Sequence, residues 1–552
     1  MMRILTWKRA ALGVALVPAL ALGWFLSPLS EPANDMPPMA TRPKKAGQPN
    51  ILFIMADDHA YQAISAYGGN LNRTPNIDRL AADGVVFDRA LVPNSICAPA
   101  RAAILTGAMS HVNGQYSNLD RFDGEQPTVP KMLQAAGYET ALIGKWHLAT
   151  TPTGFDHWEI LTDTVGQGRY FHANVRSQTG KAQWPGYVTT DTTDRALSWL
   201  QGERQASDRP FLLMVHYKAP HRTWDPDIAD LSAHRDGLVP EPNSLRQGLT
   251  DRAPVVGRAQ MDIGRDMSGR DLHFQYPDEL TPAERAAYEQ AYGAENAAYA
   301  ATKPSPDQRL SWRYQRFMRD YLRTVDSVDR NVGRLLDHLE QTGQADNTLV
   351  IYTSDQGAYL GEYGWFDKRW IMEPSVRTPL LLRWPGVAAP QQRVAALASQ
   401  LDIPATILDA AGVPADPRMQ GRSLRPLLQS GETPDWRKSA YYHYYECPGE
   451  HNVPCHLGVI TDRYKLVHYY APNVDQWELL DRQRDPAETR NFYTDPDYAP
   501  VVAEMFIELE RLREEYGDRT PLEQRTGEAI LSWVTRQVRG FMNARNPAPD
   551  VD

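Results

Sequence analysis

The sequence predicts an α/β fold in which a large, mostly parallel or mixed sheet lies between helices, followed by a smaller C-terminal antiparallel-sheet subdomain. Two observations lead to this prediction. Short apolar runs alternate with helical patterns along the first 430 or so residues. After that point the chain changes to tyrosine-rich runs that are typical of antiparallel strands. Of the 552 residues, 42% are hydrophobic, which is enough to form a large buried core.

Four apolar runs indicate strands that are buried on both faces, and they cover residues 50–56, 139–143, 210–217 and 348–353. A helical stretch, residues 129–136, precedes the second run. A long helix precedes the fourth, because apolar side chains recur there every three or four residues: Met318, Leu322, Val325, Val328, Val332, Leu335 and Leu339. Strands that alternate with helices predict a mostly parallel sheet.

A polar insertion, residues 225–300, separates the third strand from the long helix. It contains a helix start in which Thr281 is the N-cap, Pro282 takes the first helical position and Glu284 reaches back. We expect this insertion to cross the active face, where long loops usually carry specificity. In the C-terminal part we predict strands and a final helix at residues 439–446, 457–461, 464–470 and 499–516.

The N-terminus has the pattern of a targeting segment. Arg3, Lys8 and Arg9 precede an apolar run, residues 10–26, and a polar, proline-rich stretch follows it. This predicts a secretory signal or, since the run is at the short limit for a membrane span, an uncleaved anchor. We divide the chain into a signal or anchor (1–26), a flexible linker (27–48), a catalytic domain (49–429) and a C-terminal subdomain (430–552). We expect an exported protein, periplasmic or secreted, that contacts a membrane only if the segment is uncleaved.

Charge and cysteine content exclude two classes of protein. The 58 basic and 68 acidic residues give a net charge of −10, which excludes the basic surface of a non-specific nucleic-acid binder. A small anionic ligand stays possible, because a few converging cations can hold one. Three cysteines are too few for a disulfide scaffold. Cys447 and Cys455 either form one disulfide, which we favour in an exported chain, or are two free thiols.

Each of the four predicted strands is followed by polar side chains that could take part in chemistry. Asp57 and Asp58 follow the first strand, Lys145 and His147 the second, His221 the third, and Asp355 and Gln356 the fourth. Ligands in such sheets bind beyond the carboxyl ends of the strands, so we expect these groups to converge on one crevice. Lys218 and Arg222 flank His221, and each either belongs to the predicted site or is simply solvated.

The segment Cys97-Ala98-Pro99-Ala100-Arg101 reads as a helix start, since Pro99 fits the first turn of a helix. A helix N-terminus presents unpaired N–H groups and the positive end of the dipole, and both suit an anion. A free cysteine is more often a small core residue, but the four polar strand ends favour a functional role for Cys97.

Together with Leu105-Thr106-Gly107, this segment resembles the signature of the sulfatases of the alkaline-phosphatase-like superfamily, and the resemblance extends from about Gln48 to the C-terminal helix. It implies that a maturation enzyme converts Cys97 to formylglycine, whose hydrated aldehyde is the nucleophile. Arg101 would steady that nucleophile, and Lys145 and Lys368 would bind the sulfate. His147 and His221 would transfer protons, with His221 as the acid for the leaving group.

The resemblance also implies one calcium ion, bound by Asp57, Asp58, Asp355 and Gln356. The residue types agree, because three carboxylates and an amide oxygen are hard donors that suit Ca²⁺ or Mg²⁺ and not zinc. Asp57 or Asp355 would be the base at the nucleophile.

The region around Lys368 resembles the carbohydrate branch of the family, including N-acetylglucosamine-6-sulfatases. We therefore expect an exo-acting sulfatase of a sulfated glycan, in which Asp367 and Arg369 read sugar hydroxyls or a uronate. His111, His443, His451 and His456 either approach the pocket or pack elsewhere. Two alternatives are a phosphate or phosphonate monoester hydrolase of the same superfamily and an inactive glycan-binding protein.

Overall fold

The computed structural model describes residues 47–202, 204, 207–429, 433, 435–471 and 473–519. The predicted signal or anchor and nearly all of the predicted linker lie outside these residues. Within the described part of the chain, no helix has both the length and the hydropathy needed to cross a membrane.

The strands, in chain order, are β1 (Asn50–Ala56), β2 (Val85–Phe87), β3 (Ala90–Leu91), β4 (Glu139–Gly144), β5 (His157–Leu161), β6 (Asn174–Ser177), β7 (Gly180–Gln183), β8 (Phe211–His216), β9 (Thr348–Ser354), β10 (Tyr359–Leu360), β11 (Phe366–Asp367), β12 (Arg377–Thr378), β13 (Leu380–Arg383), β14 (Gln392–Val394), β15 (Ala398–Ser399), β16 (Ser439–Tyr444), β17 (Cys455–Thr461), β18 (Tyr464–Ala471) and β19 (Val474–Asp481). The regular α-helices of the described residues are α1 (Pro75–Ala82), α2 (Cys97–Thr106), α3 (Ser110–Asn113), α4 (Val129–Ala135), α5 (Val188–Gln201), α6 (Pro282–Ala300), α7 (Pro306–Gln341), α8 (Glu373–Val376), α9 (Asp402–Ala411), α10 (Arg425–Gln429) and α11 (Ala499–Tyr516). The chain also forms one irregular helical turn, Asp163–Gly166, and several short 3-10 turns.

The main sheet has the strand order β14-β2-β13-β9-β1-β8-β4-β5-β6-β7 over the described residues. Its centre, β9-β1-β8-β4-β5, is parallel, and antiparallel strands flank it on both sides. The predicted mixed α/β sheet is thus confirmed. All four strands predicted from apolar runs lie in this parallel centre, so their carboxyl ends point to one edge of the sheet.

Helices cover both faces of the sheet, which is why the central strands are apolar throughout. Along β1, Ile51, Phe53 and Met55 belong to one buried cluster, and the alternate residues Leu52 and Ile54 belong to another. On the second face lies α7, a helix of 36 residues that begins with a capping box between Ser305 and Gln308. The sheet is therefore sandwiched as predicted.

The C-terminal sheet, β16-β17-β18-β19, is antiparallel throughout, and α11 packs against it. Its side chains also form buried clusters with the first part of the chain, for example Tyr442 with Ile96 and Tyr441 with Ala103. Cys447 and Cys455 are joined by the favoured disulfide, which closes the loop between β16 and β17. The predicted capping box at Thr281 and Glu284 begins α6.

Candidate active site

The ends of the central strands are tied together by backbone hydrogen bonds. The Asp57 N–H donates to Ala219 O (3.2 Å), and the Asp355 N–H donates to Ala56 O (3.2 Å). The Asp58 N–H donates to Asp355 Oδ1 (3.1 Å). These bonds bring the predicted polar groups of β1, β8 and β9 to one point, as their order in the sheet requires.

Three buried carboxylates meet there. One oxygen from each of Asp57, Asp58 and Asp355 lies within 4.8 Å of the others. Burial and the neighbouring Asp57 raise the pKa of Asp355 well above its usual value. Beside them Gln356 donates through Nε2 to the Asp58 carboxylate, and its buried Oε1 has no hydrogen-bond partner among the described residues. This set of oxygens fits a hard divalent cation, which would satisfy both the carboxylates and the amide oxygen.

Cys97 is the first residue of α2 and is fully buried. Its thiol donates to Asp57 Oδ1 (3.6 Å), and the Gln356 Nε2 lies 3.5 Å from Sγ. Burial raises the pKa of Cys97 to about 12. An unmodified Cys97 is therefore a protonated thiol at neutral pH, and a thiol is a far weaker nucleophile than a thiolate.

Three cations surround Cys97 and the carboxylates. Arg101 donates to Asp355 Oδ2 (2.9 Å) and to Lys145 O (2.9 Å). The Lys145 ammonium donates to the Asp57 carboxylate, and Lys368 Nζ donates to Asp58 Oδ2 (2.6 Å). Burial alone would raise the pKa of Asp57, but the charges of Lys145 and Arg101 hold it well below its usual range. The arrangement places the N–H donors of three cationic side chains around the point where an anion would meet Cys97.

The two predicted proton-transfer histidines both line the same cavity. His147 has a buried Nδ1 without a partner among the described residues, and burial and Lys145 lower its pKa. His221 Nδ1 donates to Arg222 O (2.7 Å), and its Nε2 lies 3.7 Å from Asp58 Oδ2. Burial and Lys368 lower the pKa of His221 well below its usual value, so the predicted acid is neutral here.

The cavity has a volume of about 770 Å³, and the sugar-reading residues predicted beside Lys368 line it. Asp367 Oδ2 accepts from His451 Nε2 (2.7 Å), and Arg369 pairs with Glu450 (2.6 Å). Glu450 and His451 belong to the loop between β16 and β17, so the C-terminal part of the chain completes this wall.

The other three histidines that the sequence left open do not line this cavity. His443 is bound to Asp518 (2.6 Å), His456 to Pro454 O (2.9 Å) and His111 to Tyr516 O (2.8 Å). Lys218 and Arg222 both line it, and Arg222 forms two bonds of 2.7 Å to Asp271.

Sequence reasoning missed Gln167 and Glu450, which lie in loops far from any motif. Gln167 accepts a hydrogen bond from the Lys145 ammonium, and Glu450 pairs with Arg369. A single polar residue in a loop has no periodicity or spacing that could have indicated these contacts.

The comparisons with known proteins agree with this geometry. The sulfatase family model matches residues 49–413. The chain belongs to the sulfatase family. A second family model, the C-terminal region of N-sulphoglucosamine sulphohydrolase, matches residues 361–515. As a member of this family the chain is an enzyme that hydrolyses sulfate esters.

Among similar sulfatases, the N-acetylglucosamine-6-O-sulfatase of Bacteroides thetaiotaomicron is 41% identical over 497 residues, which are 87% of this chain and 88% of the relative. Human N-acetylglucosamine-6-sulfatase is 26% identical over 425 residues, 72% of this chain and 67% of the relative. A protein solved in complex with its substrate D-glucosamine-2-N,6-O-disulfate superposes with a TM-score of 0.83 at 40% identity, covering 86% of this chain and 99% of the other. The phosphonate monoester hydrolase of Silicibacter pomeroyi, with a TM-score of 0.66 at 22% identity and coverage of 86% and 96%, shares the fold.

Proposed function

We propose that this sulfatase removes the 6-O-sulfate from a glucosamine residue at the end of a sulfated glycan. The observation that supports this most is the 770 Å³ cavity, whose wall carries Asp367, Arg369, Glu450 and His451 beside Lys368. Carboxylate, guanidinium and imidazole groups are suited to sugar hydroxyls, and a cavity of this size holds one or two sugar rings. The 41% identical relative supports glucosamine and its 6-position.

The nucleophile we propose is the formylglycine made from Cys97 by a maturation enzyme. The buried, protonated thiol supports it, because burial raises the pKa of Cys97 to about 12 and leaves no thiolate to attack. Once the residue is converted, addition of water to its aldehyde gives a hydrate, and one hydroxyl of that hydrate is the nucleophile. Asp57 Oδ1, 3.6 Å from the Cys97 sulfur, is placed to accept a proton from that position.

Lys145, Lys368 and Arg101 bind and orient the sulfate in this proposal. Each lysine ammonium has three N–H groups and uses only part of them on Asp57, Asp58 and Gln167, so N–H groups remain for sulfate oxygens. His221 faces the cavity near Lys368 and would donate the proton to the departing sugar oxygen once it has gained one. His147 would move a proton at the Cys97 position and so prepare the next turnover.

We further propose one divalent cation, calcium, held by Asp57, Asp58, Asp355 and Gln356. The cluster of three buried carboxylates and the unpartnered Gln356 Oε1 support this. Bound there, the ion would supply positive charge that lowers the pKa of a neighbouring hydroxyl and polarises a sulfate oxygen.

Sulfate release from positional isomers tests the proposed substrate. We expect turnover of N-acetylglucosamine 6-sulfate and of glycans that carry it at the non-reducing end, and little turnover of 3-O- or 4-O-sulfated isomers. A phenyl sulfate and a phenyl phosphate, compared in the same assay, test sulfatase against phosphatase activity. Efficient release from another ring position, or from chain interiors only, would contradict the proposal.

Export to the periplasm or the medium is also proposed, on the basis of the basic and apolar pattern at residues 3–26. Cell fractionation with the N-terminal sequence of the mature protein tests it. A cytoplasmic protein that keeps Met1 would overturn this part, and a membrane-bound protein that keeps it would identify an anchor.

A further inference from the structure

Lys218 differs from the other lysines and arginines of the cavity because, among the described residues, no carboxylate lies within ion-pair distance of it. Five other Lys and Arg side chains line the cavity, and each has an Asp or Glu oxygen within 3.6 Å: Arg169, Arg222, Arg270, Lys368 and Arg369. Over the described residues, Lys218 has no such partner. Its Nζ donates to Arg222 O at 3.5 Å, the long limit of a hydrogen bond.

Lys218 is also largely buried and has little contact with water. The residue is 5% exposed, and its Nζ lies 5.0 Å from the centre of the Tyr170 ring. Burial and the Lys145 ammonium lower the pKa of Lys218 to about 8, and the more distant carboxylates of Asp57, Asp225 and Asp58 offset only part of this effect. A cation–π contact recovers only part of the lost hydration, so the ammonium remains poorly compensated.

Lys218 shares two contact partners with His221, but it is not one of the groups that the proposed reaction uses. Tyr170, whose ring Lys218 covers, donates its hydroxyl to His221 O (2.6 Å), and Arg222 O accepts from both Lys218 and His221. Lys145 and Lys368 already provide ammonium groups for the sulfate that is removed, with Arg101 beside them. A further buried cation therefore points to a further negative charge on the substrate.

We propose that Lys218 binds a second anionic group of the saccharide and makes the enzyme prefer doubly charged substrates. The group is a sulfate on the nitrogen of the same sugar or the carboxylate of the adjoining uronate. The inference rests on the proposed function, since it assumes a glucosamine 6-sulfate in the cavity. It goes beyond that function by assigning a binding role to a residue outside the catalytic motifs.

The test compares kcat/KM on three substrates that share a 6-O-sulfated glucosamine. They are the N-acetylated monosaccharide, the 2-N,6-O-disulfated monosaccharide, and a disaccharide in which a uronate is joined to the N-acetylated sugar. The wild-type enzyme should prefer one of the two doubly charged substrates. Lys218→Met should lower kcat/KM for that substrate about 10- to 100-fold more than for the N-acetylated monosaccharide, since a hydrogen bond between charged groups is lost. Lys218→Arg should keep most of the preference.

Arg169→Met is the matched control, because it removes a cavity cation that Asp163 already faces at 3.6 Å. It should leave the ratio between the substrates unchanged. Thermal unfolding provides a second readout. Since Lys218→Met removes a poorly compensated buried charge, its Tm should equal or exceed that of the wild type. A structural lysine would lower the Tm when it is replaced.

Several outcomes would overturn the inference. A wild-type enzyme without preference for either doubly charged substrate would do so, as would a Lys218→Met variant that loses equal activity on all three. The inference would also fail if Lys218→Met kept the wild-type ratio of kcat/KM between the doubly charged substrate and the N-acetylated monosaccharide. If the wild type cleaves none of the three but hydrolyses a phenyl sulfate, the proposed substrate itself fails, and the role of Lys218 fails with it.

Discussion

Cys97 and Asp57 show how the site controls single residues through their surroundings. Burial raises the pKa of Cys97 to about 12, whereas the Asp57 carboxylate beside it is kept ionised by Lys145 and Arg101 against the effect of its own burial. The two groups are 3.6 Å apart and lie in the same buried region. The difference arises because lysine and arginine contacts stabilise a carboxylate directly but do not compensate the burial of the thiol.

Cys97→Ala should abolish sulfate release, by at least about 10³-fold, because the variant has no side chain that can be converted to a nucleophile. The Tm should change little, since alanine fills most of the small space at the start of α2. Activity on a phenyl sulfate and a mass measurement of the Cys97 peptide from the wild type check this. Substantial turnover by the variant would contradict the formylglycine mechanism.

Asp367→Asn should lower kcat/KM on a 6-O-sulfated glucosamine about 10- to 1,000-fold and reduce phenyl sulfate turnover much less. The reason is that Asp367 accepts from His451 (2.7 Å) and has a second buried oxygen, Oδ1, without a hydrogen-bond partner in the described residues. Asp266→Asn is the control, because Asp266 lines the same cavity but is paired with Arg265 (2.8 Å). Equal losses on both substrates would mean that Asp367 positions Lys368, whose Nζ lies 3.7 Å away, and does not contact the sugar.

At the scale of elements, the insertion is fixed to α7 by a buried histidine. His273 lies 3.0 Å from Asp225 through Nε2 and 3.0 Å from Asp320 through Nδ1. Asp225 also lines the cavity and pairs with Arg270 (2.5 Å). The cavity wall on this side is thus connected to the long helix through one imidazolium between two carboxylates.

His273→Gln should destabilise the fold by about 1.5–3 kcal/mol at pH 6, because Asp225 and Asp320 lose the cation they share but keep Arg270 and Arg323 as partners. Burial alone would lower the pKa of His273, but Asp320 and Asp225 outweigh it and raise the pKa above its usual 6.5. A raised histidine pKa stabilises the folded state fully below the unfolded pKa and loses that effect as the pH rises through the folded pKa. Urea unfolding at pH 6 and at pH 9 should therefore show a smaller difference between wild type and variant at the higher pH. A difference that grows with pH would show that His273 is neutral.

The elements that sequence reasoning located are those with a strong local signal. The four central strands are apolar along their whole length because both faces are covered, and the helix ending at Tyr516 follows its amphipathic pattern. The flanking strands β5, β6 and β7 were not located, since they are short and partly exposed, and β7 is exposed at all four residues. The last C-terminal strand, β19, was missed because its first half mixes polar and apolar residues and is not fully buried.

At the scale of the whole molecule, the proposed catalytic groups come from the sheet edge, and part of the cavity wall comes from the loop between β16 and β17. Adjacent parallel strands had to bring Asp57, Lys145, His221 and Asp355 together, so this half of the site could be predicted from strand endings. His451 could be suspected but not distinguished from His443 and His456. Which of three nearby histidines reaches Asp367 depends on how the loop between β16 and β17 folds back, and no local pattern encodes this.

Removing the divalent cation should lower activity and Tm together, because an ion that binds only the folded state stabilises it. Chelation with EGTA or EDTA followed by calcium or magnesium return, monitored by phenyl sulfate turnover and thermal unfolding, measures both effects. Asp355→Asn is the control variant and should lose most of the response to added metal. Full activity and an unchanged Tm in metal-free protein would exclude the proposed ion.

The burial of Cys97 has a consequence for biosynthesis if the residue is converted to formylglycine as proposed. All ten residues of α2 are buried in the folded chain. An enzyme that has to bind Cys97 together with its neighbours therefore cannot reach them once the chain has folded. If Cys97 is converted as proposed, conversion has to finish before this helix docks. The yield of active sulfatase then depends on a competition between two rates, oxidation of the nascent chain and its collapse into the native state. On this proposal, molecules that fold before conversion would remain inactive, and faster folding would increase their share.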